Sequence, residues 1–182
     1  MQHQRTMKQY IIKKGSRTSI PSISKLCVSG ATLSARFTLG LSFTQLYELT
    51  DNSTHKIIGL SDLFGRNSIR MGFRRKPTND FIDEFVPVAY LHQEGKTLYP
   101  KIPGMILKIG KTYEVTIYKN VLGYYDIKLE ELDAFNYPIK TAQYLSLVQL
   151  PTGCKRLQGI YIEVGSKPSP WNLDMEVEYH LV

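Results

Sequence analysis

The chain has little cysteine, no long apolar run and very few acidic residues in its first part. Only Cys27 and Cys154 occur among 182 residues, too few for a disulfide framework. Both sit among strand-like residues, so buried free thiols are the default reading, and a single bridge stays open. No apolar stretch approaches the ~20 residues of a membrane helix, so insertion is not expected. The opening residues, MQHQRTMKQYIIKKGS, carry charge but no apolar segment. No signal peptide is expected, and synthesis is expected in the cytoplasm.

Signatures of catalysis are missing as well. There is no G-x-x-x-x-G-K-S/T, G-x-G-x-x-G, G-x-S-x-G or H-E-x-x-H, the patterns that cradle phosphates, present a nucleophile or bind zinc. His3, His55, His92 and His180 are scattered without metal-ligand spacing. No cofactor, no metal and no enzymatic activity are expected. A glycoside hydrolase is a lesser alternative, since Asp174, Glu176 and Glu178 alternate and sandwich glycosidases use facing carboxylates.

What is present is alternation with a period of two. Leu33, Ala35, Phe37 and Leu39 share one face of a segment whose other face is Thr32, Ser34, Arg36 and Thr38. Tyr113, Val115 and Ile117 oppose Thr112, Glu114 and Thr116. Leu173, Met175, Val177, Tyr179 and Leu181 oppose Asn172, Asp174, Glu176, Glu178 and His180. This is the habit of antiparallel sheets with one face on a core and one in water. Further strands are expected over residues 9–13, 55–60, 68–74, 84–92, 105–109, 123–129, 143–150 and 158–164. Turn residues separate them, and Gln93-Glu94-Gly95-Lys96 reads as a hairpin tip. Pro87 interrupts one strand pattern and implies an edge or bulge there. Single helical turns are expected at 61–64 and 130–135. The fold class is therefore all-β: an antiparallel two-sheet β-sandwich, jelly-roll or concanavalin-like, with little helix. Residues 1–8 read as a flexible leader and 9–182 as one sandwich domain.

Charge is unevenly spread. Residues 1–76 hold 13 Lys/Arg against 3 Asp/Glu, and residues 77–182 hold 10 against 13. Such asymmetry marks an anionic partner, or two halves that neutralise each other. Its centre is Arg66-Asn67-Ser68-Ile69-Arg70-Met71-Gly72-Phe73-Arg74. In an extended chain Arg66, Arg70 and Arg74 line one face and form a guanidinium ladder suited to carboxylate, sulfate or phosphate. Gly72 leaves an opening in it. Cross-strand pairing with the acidic stripe of the last strand is the competing reading. Tyr124, Tyr125 and Trp171 lie by turns and are candidate aromatic anchors, although Trp171 also suits a plug at the end of the core. Basic and aromatic residues do not interleave along the chain as in a stacking platform, which counts against nucleic acid.

Tyr47-x-Leu49-x-Asp51, Ile58-Gly59-Leu60-Ser61, Asn67-Ser68-Ile69-Arg70-Met71-Gly72-Phe73-Arg74, Ala89-Tyr90-Leu91 and Gly95-Lys96 together resemble a group of uncharacterised β-sandwich proteins of Bacteroidetes and their phages. The resemblance implies a concanavalin-like or jelly-roll sandwich and a virion or surface-glycan context. The expectation is thus a non-enzymatic binding or structural protein. It would be an accessory virion component or assembly module working through a protein partner or sister copies. The alternative is a lectin-like module for an anionic glycan.

Overall fold

Alternating apolar residues build two antiparallel sheets that share one core. The computed structural model describes residues 7–28, 30, 32–48, 53–76, 83–162 and 167–181. The front sheet has the strand order β1 (Lys8–Ile12), β13 (Leu173–Leu181), β3 (Thr32–Leu39), β9 (Thr112–Lys119), β10 (Tyr125–Leu132), β11 (Pro138–Tyr144). The back sheet runs β2 (Lys25–Val28), β12 (Lys155–Gln158), β4 (His55–Ser61), β5 (Asn67–Arg75), β6 (Glu84–Gln93), β7 (Lys96–Leu98), and β8 (Leu107–Lys108) also pairs with β6. β1 begins at Lys8, inside the expected leader, and residues 1–6 lie outside the described residues.

The expected faces are the observed ones. Register places Phe37 beside both Val177 and Tyr113, and Ala35 beside Val115, all of them buried. The back sheet answers with Leu60, Ile69, Met71, Phe73 and Leu157, none of which is solvent-exposed. Phe73 is the aromatic centre. Its ring centroid lies 5.7 Å from that of Phe43 and 5.1 Å from that of Phe85, both edge-on.

Helix is placed differently from expectation. Residues 62–65 form the turn between β4 and β5, and Glu130 lies within β10. The described helix is a 3-10 segment, Leu41–Glu48, tucked against the core through Phe43 and Leu46. Its Ser42 hydroxyl is bonded to the Asp174 carboxylate and accepts from the Asp174 amide at 2.8 Å. The expected strand over 143–150 ends at Tyr144, and residues 145–150 run on outside any ladder. The Gln93–Lys96 tip is confirmed, with positive φ at Glu94 and Gly95 as a two-residue hairpin turn needs. Pro87 falls between the stretches of β6 that pair with β7 and β8, where no ladder needs its missing N–H.

Cys27 and Cys154 are joined in a disulfide, their Cα atoms 4.6 Å apart. The default reading of two buried thiols is thereby corrected. Cys27 is exposed on the edge strand β2 beside β12, and its strand-like neighbours did not reveal that position.

Two carboxylates tie the surface together. Glu114 accepts from Arg36 Nε at 2.7 Å and Ser34 Oγ at 2.9 Å. Burial works against its charged form, but the Arg36 and Ser34 hydrogen bonds outweigh burial and hold its pKa below the ordinary value. Glu84 accepts from Lys76 Nζ at 2.6 Å and Lys108 Nζ at 3.0 Å, and these bonds likewise lower its pKa. Both groups bind protons more weakly folded than unfolded. Their stabilisation is present above the ordinary glutamate value of about 4.3 and is lost as pH falls through the lowered folded values. The urea midpoint should therefore drop as pH is lowered from about 5 to about 3, and Glu114→Gln should flatten part of that slope. A wild-type midpoint that does not move over this range contradicts the assignment.

Candidate functional site

The outer face of the back sheet gathers cations and tyrosines from four strands. On β5 the inward residues are Ile69, Met71 and Phe73, so Ser68, Arg70, Gly72 and Arg74 face outward. Register brings Tyr90 of β6 beside Arg70, and Gly59 of β4 to its other side. Lys56 lies opposite Gly72 and bridges to Tyr161. On β12, Gln158 adjoins Gly59 and Arg156 adjoins Ser61.

Contacts join these residues into one row. Lys56 Nζ sits 4.7 Å from the ring centroids of both Tyr90 and Tyr161. The Tyr90 ring meets that of Tyr99 edge-on at 5.3 Å. Tyr99 in turn carries the Arg74 guanidinium at 4.7 Å, and Arg70 approaches Tyr90 at 6.0 Å. Such contacts favour the cation through the ring quadrupole, most strongly where water is excluded. Lys56 and Arg70 are both largely buried, at 7% and 9% exposure, so their charges are felt in a low dielectric. Hydrogen bonds fix the guanidinium groups: Arg70 Nη2 donates to Gly159 O at 2.6 Å and Arg74 Nε to Thr54 Oγ1 at 2.6 Å. At the margins His92 Nδ1 shares a proton with Thr97 Oγ1 at 2.8 Å, and Gln158 Nε2 donates to Ser61 Oγ at 2.7 Å.

Two glycines make the row possible. A Cβ on Gly59 would collide with the Ile69 carbonyl oxygen and with Arg70 Cγ, and one on Gly72 with the His55 carbonyl oxygen. Gly59 thus lets Arg70 lie flat across β4. The opening expected at Gly72 is closed instead by the β4 backbone, which bulges between Lys56 and Ile58.

The sequence-derived candidates separate. Arg70 and Arg74 belong to the face. Arg66 does not extend the ladder: it precedes β5 in the turn capped by Asp62, which accepts from the Arg66 and Asn67 amides at 2.9 and 2.8 Å. The Arg66 guanidinium rests 5.5 Å from the Phe64 ring. Tyr125 is corrected from surface anchor to core residue, at 1% exposure. Tyr124 is half-buried at the β9–β10 turn of the front sheet, and Trp171 packs partly buried against the core, so neither lies in the row. The acidic stripe of β13 belongs to the front sheet, where Glu178 stands beside Arg36. Cross-strand pairing of that stripe with the Arg ladder does not occur, because the strands lie in opposite sheets. Lys56, Tyr90, Tyr99 and Tyr161 were missed. No local signal marks them, because each comes from a different segment. Basic and aromatic residues that do not interleave along the chain thus interleave across the sheet.

The other surfaces offer less chemistry. Among the described residues no group of three His, Cys, Asp or Glu could hold a metal ion, and no helix is long and apolar enough to cross a membrane. An apolar hollow of about 380 Å³ lies at the margin where Leu98 of β7 faces Tyr144, Leu145 and Leu147.

No family model matches the chain, and no curated protein matches it. Among solved structures it is similar to an alginate lyase, with TM-score 0.59 and 12% identity over 95% of this chain and 78% of that one. A doubly substituted form of that lyase in complex with an alginate tetrasaccharide gives TM-score 0.54 and 13% identity over the same shares. A heptameric SAP-like pentraxin from Limulus polyphemus gives 0.44 and 11%, over 93% and 73%. At these identities the likeness is one of architecture, and this chain has the two-sheet sandwich fold of the alginate lyase.

Proposed function

We propose that the outer face of the back sheet binds an acidic polysaccharide. The observation that carries this is the row Tyr161–Lys56–Tyr90–Tyr99–Arg74, with Arg70 beside it. Its cations come from three positions on two strands and are oriented by rings and hydrogen bonds, which suits anionic groups spaced along a polymer. None of the described residues in the row is Asp or Glu. The fold neighbour solved with an alginate tetrasaccharide supports the reading, alginate being a polymer of uronates. Single-stranded nucleic acid fits less well. It would need ring faces for its bases, and Tyr90, Tyr99 and Tyr161 each already have a cation over one face. The role is one of recognition without turnover.

Affinity electrophoresis through a gel containing a polyuronate tests this. The wild type should be retarded, and Lys56→Met combined with Arg74→Gln should migrate as in a gel without polymer. Equal migration of wild type and variant sinks the proposal. Tighter retention by single-stranded DNA moves the function to nucleic acid, and release of unsaturated oligosaccharides makes the protein an enzyme. Assembly with sister copies, in a virion or elsewhere, is a second reading, favoured by the exposed Leu98, Leu145 and Leu147 at the sandwich margin. It requires a sedimentation coefficient that rises with concentration and falls back in Leu147→Asp.

A further inference from the structure

The row ends at a cleft of about 300 Å³ on the β12 side, lined by Thr18, Ser24, Arg70, Arg156, Gln158 and Tyr161. We propose that this cleft is a carboxylate subsite, taking the acidic group of one uronate while the rest of the chain lies along the row. The proposal rests on the acidic-polysaccharide reading above.

Two guanidinium groups reach the cleft from strands that are not neighbours. Arg156 is on β12 and Arg70 on β5, with β4 between them. Both line the cleft, and Arg70 reaches it across Gly59 of β4. Any larger residue there would meet the Ile69 carbonyl oxygen of β5 as well as Arg70 Cγ; over the glycine the Arg70 side chain crosses β4 and anchors on the Gly159 carbonyl at 2.6 Å. That carbonyl is itself held in place, since the Gly159 amide donates to Ser24 Oγ at 3.3 Å. Arg156 is exposed, opposite Ser61. The Gln158 amide is oriented by its bond to Ser61 Oγ.

The donor set is two guanidinium forks and an amide, and hydrogen bonds hold Arg70 and Gln158 in place. A guanidinium fork matches the two coplanar oxygens of a carboxylate. A sulfate ester is tetrahedral and carries an oxygen outside that plane. None of the described residues lining the cleft is acidic. Tyr161 lines the cleft and carries Lys56 over its ring, so cleft and row share a residue.

Titration calorimetry with a uronate tetrasaccharide, its carboxyl-reduced neutral counterpart and a sulfated tetrasaccharide tests the assignment. Arg156→Gln should bind the uronate about 10- to 100-fold more weakly than the wild type, as expected for loss of a charge-assisted contact. The neutral sugar should bind both proteins equally weakly. Gly59→Ala should weaken uronate binding like Arg156→Gln, with Arg70 displaced. Because Gly59 is buried and that variant can fail to fold, the exposed Arg156→Gln carries the decision. If Arg156→Gln binds uronate like the wild type while Lys56→Met does not, the subsite is wrong and the acidic-polysaccharide reading stands. If the wild type binds no tetrasaccharide, both fall. If it binds the sulfated sugar as tightly as the uronate, the carboxylate assignment is overturned.

Discussion

Phe73→Ala should lower the free energy of unfolding by about 3–5 kcal/mol, the range for truncating a fully buried phenylalanine. Phe73 has no solvent exposure, and its ring meets Phe43, Phe85 and His55 within 5.1–5.7 Å. These partners come from the 3-10 segment, β6 and β4, so one truncation loosens three elements at once. Aromatic pairs of this kind add about 0.5–1.5 kcal/mol beyond area burial, which places the expected loss in the upper part of the range. The check is urea denaturation followed by fluorescence and circular dichroism together. The larger side chain in Phe73→Leu should leave a smaller cavity and a smaller loss. A cost below about 1 kcal/mol for the alanine variant would contradict a close-packed interior centred on this ring.

Arg70→Met should weaken binding of an acidic oligosaccharide by about 100-fold or more. A hydrogen bond to a charged group contributes about 1.5–3 kcal/mol, and each 1.4 kcal/mol is about tenfold in affinity. Arg70 serves both the row and the cleft, so more than one such contact is lost. Methionine keeps much of the aliphatic bulk over Gly59 but leaves the Gly159 carbonyl without its 2.6 Å donor. The melting temperature should therefore fall too, and binding must be measured well below it. Arg66→Met is the contrast. Arg66 lies in the β4–β5 turn, and its replacement should change affinity less than about twofold, within the modest worth of exposed charges. Equal losses in the two variants would mean that net charge, rather than this face, governs binding.

The fold was legible wherever apolar residues alternate over a full strand. Leu33 to Leu39, Tyr113 to Ile117 and Leu173 to Val177 all point as their period demands. It was not legible where strands are short or exposed. β2 and β7 have four and three residues with little buried surface, and β11 exposes most of its side chains. These strands exist because neighbours offer them hydrogen bonds, and a hydrophobic pattern cannot report that. The Leu41–Glu48 segment looks no more helical than its surroundings. What holds it is Phe43 in the core and Ser42 on Asp174, a partner 132 residues away.

The site was half legible for the same reason. Arg70 and Arg74 share a strand, so their spacing shows in the sequence. Arg66 has the right parity but lies beyond the strand, and parity carries no meaning once Asp62 has turned the chain. Lys56, Tyr90 and Tyr161 are neighbours only through the register of β4 with β5, of β5 with β6 and of Lys56 with Tyr161. Tyr125 failed as an anchor because it is the first residue of β10, where its side chain turns inward.

Among the described residues, the two outer surfaces carry different charges. One displays Lys56, Arg70, Arg74 and Arg156, and the other carries Glu114, Glu130 and Glu178 beside Arg36 and Lys128. Summed over these residues alone, positive charge gathers on one side of the sandwich and negative charge on the other. Approaching a negatively charged matrix, the molecule would experience a torque before it made contact and would arrive with its basic side leading. Capture would then be fast in dilute buffer and slow steeply as ions shorten the reach of the field to about 8 Å at physiological strength.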